Sequence, residues 1–233
     1  MSRRNLVLSI VNCLFILGVV WSALAQQPAG GPAEKGGKAK QVAGRAPLFL
    51  REEWKSDGKE GAITPGNVAN PNLELKLYGP SGKDIQITGA AGNEGNPVHA
   101  WTGLCTTPCA LALRDKTNFV DLSGLARMRW VTKMSGLHQI HPIVKLANGN
   151  WLVGDHADGS VADWLDTEFS LSDVRWLRLD IERAVTTGTW VANPDLTKVD
   201  EVGFVDLMPG SGHGAGGWAD VGKIEVYGKP VAR

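Results

Sequence analysis

What this sequence lacks narrows it first. It has no excess charge: 24 Lys and Arg stand against 24 Asp and Glu over 233 residues. Without a positive field it offers nothing to the phosphate backbones that sequence-independent nucleic-acid binding depends on. Tyrosine is scarce at 2 residues, and cysteine at 3. No second cysteine pair completes a tetrahedral zinc site, and no Gly-x-Ser-x-Gly elbow marks a nucleophilic serine. There is no three-turn amphipathic helix and no fixed-period repeat, so the strand-helix alternation of a parallel α/β fold is excluded.

What is present is 29 Gly and 9 Trp in a chain that is 43% hydrophobic and 21% charged, a globular composition of one or two domains. Arg3 and Arg4 precede an apolar run from Leu6 to Val20, and Ala23-Leu24-Ala25 follows. That pattern is a signal peptide over 1–25, cleaved before Gln26. The run is short and contains Asn12, so no membrane span is expected after cleavage. Residues 26–47 read as a flexible Gly/Ala/Lys/Pro-rich linker, with Lys35, Lys38, Lys40 and Arg45 against Glu34. Its basic charge suits an anionic envelope surface or a plain solvated tether. Residues 48–233 then carry 18 basic and 23 acidic residues, a net −5. The neutral total hides a basic tail on a mildly acidic domain. The expected location is secreted or periplasmic, where Cys105 and Cys109 close a small disulfide loop.

From Leu48 onward the apolar pattern has period two. In Arg127-Met128-Arg129-Trp130 the apolar pair shares one strand face and the arginines the other. Similar runs occur at Leu48 to Trp54, Leu73 to Tyr78, Ala110 to Arg114, Trp164 to Phe169, Arg175 to Ile181, Val202 to Leu207 and Lys223 to Tyr227. Ile143 to Leu146 and Trp151 to Val153 flank Asn148-Gly149, which predicts a hairpin with a type I′ turn. The fold class is therefore all-β, an antiparallel β-sandwich or jelly roll.

Indoles beside Gly, Asn or Asp, namely Trp101, Trp151, Trp164, Trp190 and Trp218, can stack on a sugar ring while neighbouring polar groups bind its hydroxyls. Trp130 and Trp176 read as core. The Gly-rich loop from Gly210 to Trp218 contains G-x-G-x-x-G, but no helix follows, so it is no dinucleotide site. It reads as a mobile connector or a ligand-approach loop carrying His213. His138 and His141, three apart on a strand, point to opposite faces and do not grip one ion. Asp155 and Asp158, at a tight turn with His156, are candidate oxygens for a structural Ca²⁺, with an ordinary solvated turn as the competing reading. No other cofactor is expected.

Val120 to Trp130, with its Asp121-Leu122-Ser123-Gly124 turn, resembles the strand entry of galactose-binding-like jelly rolls. Val199 to Phe204 and Gly222 to Tyr227 resemble the closing strands of the same sandwiches, found in carbohydrate-binding modules and in a complex I assembly factor. The stretch from Leu48 also resembles an uncharacterised family of secreted soil-bacterial proteins. The resemblance implies the fold and, by analogy, sugar binding. The expectation is a secreted, non-catalytic module for carbohydrate or a cell-envelope glycan, binding through Trp151, His156, Asp158, Trp164, His213 and Trp218. Two alternatives stay open. One is a carbohydrate-active hydrolase with carboxylates drawn from Asp155, Asp158, Asp163 and Asp220; the other is an envelope assembly or structural protein.

Overall fold

The computed structural model describes residues 45–56, 58–136, 138–207 and 217–233, within the compact unit Ala43–Arg233. In chain order the strands are β1 (Leu48–Glu52), β2 (Gly61–Ala62), β3 (Leu73–Tyr78), β4 (Gln86–Thr88), β5 (His99–Trp101), β6 (Cys109–Asp115), β7 (Asn118–Asp121) and β8 (Arg127–Ser135). They continue as β9 (Ile140–Leu146), β10 (Trp151–Gly154), β11 (Val161–Ser170), β12 (Trp176–Asp180), β13 (Val185–Val191), β14 (Val199–Asp206), β15 (Trp218–Tyr227) and β16 (Lys229–Ala232). The described residues form two antiparallel sheets. The first runs β11-β8-β15-β5-β4-β2, with β1 also on β15; the second runs β13-β12-β10-β9-β14-β6-β3, with β7 beside β14 and β16 beside β7. The chain crosses repeatedly between sheets, which makes the sandwich a jelly roll. Among the described residues, no helix is long and apolar enough to cross a membrane.

Alternation explains why these segments are strands. Along β8, Met128, Trp130, Thr132 and Met134 are buried while the residues between them are half-buried. The inner faces meet in a core that includes Trp130, Leu111, Phe204, Ile224 and Trp176. Cys105 and Cys109 are joined by a disulfide. The hairpin at Asn148-Gly149 forms, but with a different turn. Only Gly149 takes a positive φ, 86°, and its amide bonds the Leu146 carbonyl at 2.9 Å. A type I turn followed by a left-handed glycine satisfies the strand twist as well, and it leaves Asn148 unstrained. The expected boundary at Leu48 is preceded by ordered contacts: Arg45 Nη2 lies 3.2 Å from Glu168 Oε1.

Two buried carboxylates are held by hydrogen bonds. The Glu52 carboxylate, fully buried, accepts backbone amides of Trp54, Ala69 and Asn70 at 2.9, 2.6 and 3.1 Å. His138 pairs through Nδ1 with Asp206, which also accepts the Thr102 hydroxyl at 2.9 Å. His138 precedes β9, whereas His141 lies on it and bonds the Gly154 carbonyl, so the two imidazoles make separate hydrogen bonds.

Candidate functional site

The outer face of the second sheet is a broad surface for a ligand, and its own side chains fill it. One register row runs Lys76, Ala112, Gly203, Ile143, Val153, Leu177 across six strands. Small residues in its middle let Tyr78 of β3 and Trp151 of β10 reach inward and meet edge to face at 4.9 Å. The connection after β12 brings Ala184 over the same face. Gly79, at φ 78°, makes room for it, since a Cβ there would lie 2.8 Å from Ala184 Cβ and 2.6 Å from the Pro108 carbonyl. Ala110, Ala112, Ile143, Ala184 and Val205 are consequently sealed from solvent in a second apolar cluster. Glu201 ties the cover down, accepting the Tyr78 hydroxyl and Lys145 Nζ, each at 2.8 Å.

The rim beyond β12 is the reverse. Trp190 of β13 is 52% exposed, more than any other large hydrophobic side chain in the described residues apart from Leu125. Arg175 Cζ lies 4.8 Å from its ring centroid. Arg175 is in turn clasped by Asp155: its backbone amide and Nε reach the two carboxylate oxygens at 2.8 and 2.7 Å. Burial alone would raise the Asp155 pKa, but these Arg175 bonds outweigh it and hold the carboxyl below its ordinary value. On one side of this pair lies a groove of about 560 Å³ with Leu171, Trp176 and Leu196 among its lining and Ser172, Asn193 and Trp190 at its edges. On the other side lies a cavity of about 390 Å³ lined by Asp155, His156, Glu168 and Asp173. Val174 lines both. Each volume falls in the range of small-ligand sites, about 300–1,000 Å³.

The residues singled out from the sequence are dispersed. Trp151 is 8% exposed under Tyr78. Trp164 and Trp218 are half-buried on the first sheet, the former bonding the Gly95 carbonyl at 3.2 Å and the latter near Lys133. His156 and Asp158 do come together, with Nε2 3.3 Å from Oδ1, but as a packed unit. The His156 ring stacks on Phe169 at 3.7 Å. Asp158 accepts Trp130 Nε1 at 2.6 Å and the Thr132 hydroxyl at 3.2 Å. Burial raises the Asp158 pKa, and bonds from His156 and Trp130 pull it below its ordinary value. His213 lies outside the described residues. Asp155 and Asp158, the candidate Ca²⁺ oxygens, are committed to Arg175 and Trp130, and no group of three or more potential metal ligands gathers among the described residues. Trp190 was among the candidate stacking indoles but not among the six residues of the expected site, and Arg175 and Asn193 were in neither set. The available signal was Thr186-Thr187-Gly188-Thr189, a polar run that gives Trp190 no apolar companion on the preceding residues of its face.

No protein-family model matches the chain, and no curated protein matches it. Among solved structures it is similar to the family 11 carbohydrate-binding module of a cellulosomal cellulase of Clostridium thermocellum, at 16% identity and TM-score 0.44, covering 75% of this chain and 97% of that one. It is also similar to a family 61 module solved with β-1,4-galactotriose, at 11% identity and TM-score 0.37, covering 66% and 88%. An exo-β-agarase matches at 11% identity and TM-score 0.39, covering 70% of this chain and 24% of that one. Likeness at this level carries no argument about ligand. What the fold itself defines is an antiparallel jelly-roll sandwich with one filled face and one open rim.

Proposed function

We propose that this chain is a secreted carbohydrate-binding module that holds its ligand at the rim, with Trp190 as the stacking platform. One observation carries the reading: a half-exposed indole borders a groove whose edges present Ser172, Arg175 and Asn193. An apolar ring face beside convergent hydroxyl, amide and guanidinium groups matches the two-sided chemistry of a pyranose, apolar on its C–H face and polar around its edge. Arg175 holds one face of the indole and steadies it, so little rotamer freedom is lost on binding.

Binding without hydrolysis is the better fit to the carboxylates. A glycosidase needs one carboxyl held protonated, opposite a second that is ionised. Asp155, Asp158 and Asp166, three of the carboxylates nearest the rim and its neighbouring sheet, are displaced downward. Burial opposes the shift in Asp155 and Asp158, where hydrogen bonds from Arg175 and from His156 and Trp130 prevail. In Asp166 the Arg129 hydrogen bond leads. These groups are acceptors, poorly suited to give up a proton to a leaving group. Affinity electrophoresis in gels containing soluble polysaccharides tests the reading. Retardation by at least one polysaccharide, lost in Trp190→Ala with an unchanged thermal midpoint, is expected; equal retardation of the variant would remove the platform.

A further inference from the structure

Resting on that reading of the rim, we infer that the ligand is a neutral oligosaccharide of at least two rings, laid across the Arg175–Asp155 pair so that one ring sits on each side. The two cavities are halves of one surface. They share Val174, and the ion pair stands between them, with Arg175 facing Trp190 in the groove and Asp155 lining the polar cavity. A single ring stacked on Trp190 leaves the second cavity empty. A chain that continues past it meets Asp155, His156 and Asp173.

Arg175 engages Asp155 through Nε, and its two terminal nitrogens make no hydrogen bond to any described residue. The pair therefore offers donors on one side and carboxylate acceptors on the other. Vicinal hydroxyls, each both donor and acceptor, satisfy both at once. The pair is already neutral, so it brings no net positive charge to an acidic sugar. The polar half adds Glu168 and Asp173 to Asp155. Glu168 is matched by Arg127 at 3.1 Å and Arg45 at 3.2 Å, while the Asp173 carboxylate accepts only the neutral Ser172 hydroxyl, at 3.3 Å, among the described residues. A uronate in this half would face like charge, on a domain already at −5.

Titration calorimetry of the purified protein settles this, using neutral β-linked gluco- and galacto-oligosaccharides of one to four rings and oligogalacturonates of the same lengths. Affinity is expected to rise about tenfold from one ring to two, the equivalent of one well-made set of contacts, and to level off beyond. Asp173→Ala, at an exposed turn, should reduce that gain several-fold without altering single-ring affinity, while Trp190→Ala should weaken every length. If one ring binds as tightly as three, or Asp173→Ala leaves the length dependence intact, the two-ring site is wrong and the Trp190 platform survives. Oligogalacturonates binding as well as the neutral series would overturn the neutral preference. Absence of binding by every oligosaccharide would overturn both this inference and the reading beneath it.

Discussion

The filled face and the open rim are built from the same three kinds of group. On the face, Trp151 has Lys145 Nζ 5.9 Å from its ring, and Lys145 pairs with Glu201 at 2.8 Å. At the rim, Trp190 has Arg175 at 4.8 Å, and Arg175 pairs with Asp155 at 2.7 Å. Yet Trp151 is 8% exposed and Trp190 is 52% exposed. The difference lies in the surroundings. Trp151 sits beside a row of alanines and a glycine that let Tyr78 and Ala184 close over it, whereas Trp190 stands on an edge strand of threonines with only the Arg175 guanidinium against its ring. An indole with a cation and a carboxylate is thus buried as a structural plug or left exposed at the rim according to what the next strands contribute.

The largest expected effect separates the two indoles. Trp151→Ala should cost about 3–5 kcal/mol in denaturant unfolding, because the void lies under a cover that cannot collapse onto alanines. Trp190→Ala should shift stability by no more than about 0.5 kcal/mol while removing polysaccharide retardation. Comparable stability losses in the two variants would erase the distinction drawn here. Next comes the disulfide, whose small loop abuts Gly79 beneath the cover. Reducing it should cost about 2 kcal/mol by the loop-entropy estimate and leave affinity at the rim unchanged, which melting and titration of the reduced protein would check. Tyr78→Phe follows. It removes the hydroxyl bond to buried Glu201 at an expected cost of about 1 kcal/mol. An equal loss in a Glu201→Gln background would show that the pair is not coupled.

The smallest effect is set by pH. His141 lies on the filled-face side, and desolvation lowers its pKa below the ordinary 6.5. A group whose pKa is depressed on folding binds its proton more readily when unfolded. Its contribution is therefore complete above about pH 6.5 and lost as pH falls toward the folded value. The thermal midpoint should decline on acidification from about pH 6.5, and His141→Gln should flatten that slope. Asp155 is also depressed, so the rim keeps its ionised pair throughout this window, and ligand affinity should stay level while stability falls. A parallel decline of both would contradict the independence of the two regions.

Much of the fold was legible because strand pairing obeys a local period. Leu73 to Tyr78 forms β3 as expected, and Met128 and Trp130 alternate inward with their arginines outward. The fate of individual indoles was not legible, because it depends on partners far along the chain. Trp151 follows a turn and looks exposed in sequence, and what covers it is Tyr78 from a strand four places away in the sheet. Asp158 looks like a solvated turn carboxylate, and its role as acceptor for Trp130 appears only when β8 passes beneath it. At the rim, Asp155 and His156 were visible as a polar turn, while Arg175 read only as the first residue of a strand run. Its pairing with Asp155 requires β10 and β12 to be neighbours.

The central claim is that sugar binds at the rim over Trp190 and not on the sheet face. Indole ¹H–¹⁵N resonances, assigned by single Trp→Phe variants, report each ring separately during titration with a neutral trisaccharide. The account predicts that the Trp190 signal moves with saturable, ligand-dependent shifts while that of Trp151 stays in place. A moving Trp151 signal beside an unmoved Trp190 would place the ligand on the face and contradict it.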